Sequence, residues 1–126
     1  MNLSKILLLL SFLFLLLASC NSSFNESETI GNPTPKDFLK NENADIFLLG
    51  GIVYSNAQNV EWVDELDYKL GEQIGKVTKQ TDKASSFTNG TANKLPVGVK
   101  IYNTNTPVSI AIVNDNHIPY LKMIEG

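Results

Sequence analysis

The order of apolar and polar positions divides the chain into three zones. Ile6 to Leu17 is an apolar run of twelve residues broken only by Ser11. Residues 21–44, NSSFNESETIGNPTPKDFLKNENA, are polar with scattered apolar positions and two prolines. Beyond Ala44, short apolar runs alternate with turn residues, the signature of a β-rich domain. Ile46–Leu49 and Ile52–Tyr54 flank Gly50-Gly51, which predicts a hairpin, because a type I′ turn needs positive φ at both centres. Val60, Val63 and Leu66 recur at helical spacing and predict a helix of two to three turns between Ala57 and Leu66, N-capped by Asn59.

Tyr68 to Thr78 reads as a strand. Tyr68, Leu70 and Ile74 share one parity and Val77 the other, so Gly75 marks an expected bulge. Residues 79–94, KQTDKASSFTNGTANK, read as a polar loop. Val97, Val99 and Ile101 alternate with Gly98, Lys100 and Tyr102 as a half-buried strand. Val108, Ile110 and Ile112 form another. Asn114-Asp115-Asn116 is a turn by residue type. Ile118–Ile124 closes the chain as a strand, with Pro119 expected near an edge or bulge. The expected class is α+β and β-rich: a small antiparallel sheet, or a partly open barrel, with one short helix. The globular domain is expected over 45–126.

The apolar run is short of the roughly 18–20 residues that cross a bilayer as a helix, and Lys5 precedes it, as in a secretory signal. Leu17-Ala18-Ser19-Cys20 resembles the lipobox of bacterial lipoproteins: an aliphatic residue, two small residues and a Cys. The resemblance implies that the Cys20 thiol takes a diacylglyceryl group and that cleavage falls between Ser19 and Cys20. Residues 1–19 would then be a cleaved signal peptide. Residues 20–44 would be a lipidated Cys and flexible tether, about 24 residues of coil spanning roughly 27 Å. Two acyl chains hold a protein stably on a membrane, where one does so only marginally. The expected location is the extracytoplasmic face of the cell membrane. Within the tether, Pro35 to Lys40 could instead start a short helix with Phe38 and Leu39 docked on the domain.

Composition narrows the chemistry. The chain has 126 residues, a net charge of −3, one Cys, one His and no Arg. A single Cys permits no internal disulfide or Cys-based zinc site, and a single His permits no multi-His metal site. The acidic balance argues against nucleic acid as a partner. No cofactor is expected.

Glu61, Asp64, Glu65 and Asp67 cluster around Trp62 and could supply a carboxylate pair, but adjacent helical turns suit a solvated face better. His117 lies beside a polar turn with no nucleophile motif nearby. Gly71-Glu72-Gln73-Ile74-Gly75 lacks the Lys-Ser/Thr of a phosphate loop. Trp62, Tyr54, Tyr102 and Tyr120 are candidates for an aromatic binding surface, set against the alternative that such residues pack at the core rim.

The segments ADIFLLGGIVYSNAQNVEWVDEL, GEQIGKV, NKLPVGVKIY and IPYLKMIEG resemble small lipoproteins of Bacillus and related low-GC Gram-positive bacteria. That resemblance implies secretion, lipidation and a compact C-terminal domain, and it carries over no catalytic residues. The expected role is a non-enzymatic, surface-tethered binding or interaction module whose partner is an envelope protein or glycan. The alternative is a small envelope hydrolase using carboxylates near Trp62.

Overall fold

Gly50 and Gly51, at φ +57° and +75°, turn the chain between β1 (Ile46–Leu49) and β2 (Ile52–Asn56), as the sequence predicts. This hairpin belongs to a computed structural model that describes residues 31–125. Ser19, Cys20 and the expected signal peptide over 1–19 lie outside the described residues. The remaining elements are α1 (Pro35–Leu39), α2 (Glu61–Asp64), β3 (Leu70–Lys76), β4 (Lys79–Gln80), a 3-10 turn at Ala84–Ser86, β5 (Thr91–Ala92), β6 (Lys100–Thr104), β7 (Val108–Val113) and β8 (Asn116–Lys122).

The strands form one eight-stranded sheet in the order β3-β6-β7-β8-β2-β1-β5-β4. All pairs are antiparallel except β4 with β5, so the sheet is mixed and not purely antiparallel as expected. β3 and β4 stand at opposite ends of this order, yet only Val77 and Thr78 separate them in sequence. The Val77 N–H donates to the Val99 carbonyl at 2.8 Å, and the Thr78 N–H donates to the Gly90 carbonyl at 2.8 Å. Two residues can join the two edges only if the sheet curls towards itself. The result is a half-barrel.

The pairing register assigns the faces. Phe47, Tyr54 and Lys122 stand opposite one another across β1, β2 and β8, and Tyr120 pairs with Ser109 across β8 and β7. This concave face holds the main core: Phe47, Tyr54, Val77, Ala92, Leu95, Ile101, Ala111 and Tyr120 are all buried. Phe47 stacks on Tyr54 at 4.6 Å between ring centroids and meets Tyr120 at 4.9 Å, tilted by 58°. On the convex face, Val60, Val63 and Leu66 from α2 and its flanks cover Val108, Ile110 and Ile112. Their helical spacing was legible, but α2 itself is a single turn. Asn59 does not cap it. The Val60 N–H is spent on the Ala57 carbonyl in a preceding turn, which leaves Val60 at the cap position with no side-chain acceptor.

Several expectations are corrected. Pro35–Leu39, placed in the flexible tether with a docked short helix as the alternative, is that helix, packed against β1 and the 3-10 turn, with Phe38 and Leu39 half-buried. The Asp37 carboxylate accepts from the Thr34 N–H at 2.8 Å and the Thr34 hydroxyl at 3.0 Å, which fixes its first turn. One compact unit begins at Asn32, not at residue 45, and the Asn32 side-chain oxygen accepts from the Glu125 N–H at 3.0 Å.

β3 shifts register on both sides of Gln73, once at the expected Gly75, and it leaves Leu70 and Ile74 partly exposed instead of buried. The supposed loop 79–94 contains β4 and β5, with Thr91 and Ala92 fully buried. Val97 is an exposed turn residue, and its strand starts only at Lys100. Pro119 sits in a central strand. Its carbonyl accepts from the Ala57 N–H, just past the last β2 pair, so its missing N–H falls where β2 has ended.

Candidate functional site

The half-barrel stays open at one end, bordered by Lys122 at the close of β8 and by Ile74 of β3. The concavity there has a volume of about 690 Å³, within the range of ligand pockets. Leu49 and Ile52 come from the hairpin, Ile74 from β3 and Ile124 from the C-terminal segment, and together they give it aliphatic walls. Asn103 and Ser109 bring polar groups from β6 and β7. Among the described residues, Lys122 is the one charged side chain lining it, and no carboxylate does. Each position follows from the fold. Tyr54 opposite Lys122 puts that lysine on the concave face, and Ile74 reaches the opening from the irregular stretch of β3 between Gln73 and Gly75.

Trp62, Tyr54, Tyr102 and Tyr120, candidates for either an aromatic surface or packing at the core rim, are not brought to one surface. Tyr54 and Tyr120 are core residues, at 5% and 0% exposure, while Tyr102 is half-buried on β6 and Trp62 is 49% exposed on α2. The stacking of Phe47 on Tyr54 and the tilted contact with Tyr120 pull two of the four inward. Burial raises the Tyr120 hydroxyl well above its ordinary range, and the neighbouring Asp45 charge and hydrogen bond add to the shift. The same hydroxyl donates to Asp45 Oδ1 at 2.7 Å, and Asn56 Nδ2 donates to Asp45 Oδ2 at 2.8 Å. Burial alone raises the Tyr54 hydroxyl.

The acids near Trp62 are exposed on α2 and the turn after it. Asp64 reaches a small cavity of about 180 Å³ that also holds Tyr68 and His117, floored by Val63, Val108 and Ile110. Tyr68 Oη and His117 Nδ1 share a 2.7 Å hydrogen bond, so His117 is an exposed turn-end residue with a partner across the fold. Among the described residues, no second carboxylate lines that cavity. Among the described residues, no group of three or more His, Cys, Asp or Glu could hold a metal ion.

A third concavity, about 580 Å³, is rich in amides, including Asn41, Asn56 and Gln58 beside Asp45 and Lys94. Much of that polarity serves the backbone. Asn56 Oδ1 accepts from the Gln58 N–H, and Asn41 Oδ1 accepts from the Asn43 N–H.

The sequence reading did not single out Ile74, Lys122 or Ile124. A usable signal was present for Lys122: Ile118, Tyr120 and Lys122 share one parity, so a strand that buries Tyr120 carries Lys122 to the same face. Compared with protein-family models, curated proteins and solved structures, the chain matches none.

Proposed function

We propose that this chain is a lipid-anchored module of the cell envelope, held through Cys20 at the extracytoplasmic face of the cell membrane, and that it works by binding. The place rests on Leu17-Ala18-Ser19-Cys20 following the apolar run. The binding role is carried by one observation, the ligand-sized opening of the half-barrel with aliphatic walls and a single lysine. The position of Asn32 and α1 leaves about a dozen residues, 21–31, as the longest spacer between the acylated Cys and the compact unit.

The hydrolase alternative required a second carboxylate facing Glu61 or Asp64 from another element. Asp64 shares a cavity with His117 and Tyr68 instead, with no second carboxylate there among the described residues, and nothing favours that alternative.

The anchor is tested by feeding expressing cells an alkyne fatty acid. Wild-type protein should take the label and partition with membranes, Cys20→Ser should do neither, and mass spectrometry should find a diacylated Cys as the first residue. A mature product with a free thiol, or one retaining residues 1–19, would overturn the anchor. The binding role is tested by capture of an envelope component on the immobilised protein. Failure to recover any component from membrane and wall fractions would count against it.

A further inference from the structure

We infer that the open end of the half-barrel is a site for a long-chain fatty acid, with its carboxylate at Lys122 and its alkyl chain along Leu49, Ile52 and Ile74. This deepens the binding role proposed above and rests on it. The cleft selects by what it lacks as well as by what it holds. Among the described residues its only charged lining group is a cation, so an anion is favoured there and an ammonium group is not.

A single ammonium beside an aliphatic wall matches an amphiphile with one anionic head, whereas a polyphosphate or nucleic acid calls for several cations. A sugar would need an aromatic face to stack on. Tyr54, the one aromatic residue in the lining, is 5% exposed and already stacked on Phe47. An added peptide strand would need a regular free edge. β3, which borders the opening, carries two register shifts along its length, a device that discourages strand addition.

Ile74 and Ile124 are 37% and 57% exposed. They are large aliphatic groups in the lining left partly in water, and an alkyl chain lying against them would remove that surface from solvent. Asn103 and Ser109, from β6 and β7, offer hydrogen-bond donors in the same cleft.

The test uses the mature chain carrying Cys20→Ser, so that no attached lipid competes. Displacement of cis-parinaric acid is followed with octanoate, dodecanoate, hexadecanoate and hexadecanol. One saturable site is expected. Affinity should rise with chain length, by up to about fourfold per methylene while the chain extends within the cleft. Lys122→Ala should weaken the acids about five- to tenfold and leave hexadecanol unchanged. Ile74→Glu should weaken acids and alcohol alike by more than tenfold, with an unchanged melting temperature. Should Ile74→Glu disturb folding, Ile124→Glu, beyond the last strand, repeats the test.

Absence of saturable binding, equal loss of acid and alcohol in Lys122→Ala, or wild-type affinity in both glutamate variants would each overturn the assignment. Capture of an envelope protein or glycan alongside a negative fatty-acid titration would sink this inference while leaving the binding role standing. Loss of both would sink the two together.

Discussion

Replacing Tyr120 with Phe isolates one hydrogen bond in the core. The ring is fully buried against Phe47, and Phe keeps that packing. What is lost is the 2.7 Å bond from Tyr120 Oη to Asp45 Oδ1. Hydrogen bonds to charged groups contribute about 1.5–3 kcal/mol. Asp45 is half-buried, so water can replace part of the interaction, and we expect Tyr120→Phe to cost about 1–2 kcal/mol. For a domain of this size, that lowers the melting temperature by roughly 4–16 °C. A thermal and urea denaturation cycle over Tyr120→Phe, Asp45→Ala and the double variant should return a coupling of similar size.

The same substitution has a signature in alkali. The folded state holds the Tyr120 proton more tightly than the unfolded chain does. Above about pH 10 the unfolded state therefore binds fewer protons than the folded state, and stability falls as pH rises. Each fully shifted tyrosine costs about a factor of ten in the folding equilibrium per pH unit in that window. Tyr54 shifts in the same direction and stays in the variant. Tyr120→Phe should therefore flatten the alkaline decline without abolishing it. A coupling below about 0.3 kcal/mol, or an alkaline slope identical to wild type, would refute the reasoning.

Three further outcomes follow from the geometry. Asn93→Ala should cost roughly 1–3 kcal/mol in urea denaturation, because Asn93 Oδ1 accepts from the Ile46 N–H and Nδ2 donates to the Ala44 carbonyl, both at 2.7 Å; Asn93→Asp, which cannot donate, should not rescue it. Gly90→Ala should cost about 1–3 kcal/mol, since φ there is +91° and an added Cβ would lie 2.6 Å from Thr78 Oγ1 at the point where the two sheet edges meet. Trp62→Ala should change stability by less than about 0.5 kcal/mol, and acrylamide should quench wild-type Trp62 freely, because half of its surface is in water; strong protection would mean that a partner or a second copy covers it.

Local chemistry made part of this protein legible from its residues alone. Gly50-Gly51 and Asn114-Asp115 specify their turns because positive φ is a demand met within two residues, and both pairs adopt it. The alternation along Val108–Ile112 and Ile118–Leu121 identifies strands because side-chain period is a property of the chain. Val60, Val63 and Leu66 show the apolar face over β7 for the same reason, although their spacing does not reveal that the helix lasts one turn.

Tertiary structure decided what depended on residues far apart. Thr91 and Ala92 look like loop, and they become buried strand only because Phe47 pairs with Ala92 from forty-odd positions away. Sequence leaves Tyr54 and Tyr120 open between a surface and the core rim, and the curl of the sheet decides it by folding them onto Phe47. The cleft belongs wholly to this second category. Ile74 faces it because bulges reverse the expected side of β3, Ile124 because β8 ends at Lys122, and Lys122 because Tyr54 pairs opposite it. Sequence periodicity reports which residues share a face of a strand. Which faces then meet, and where the curled sheet stays open, is set by strand pairing and closure, and these are properties of the assembled sheet.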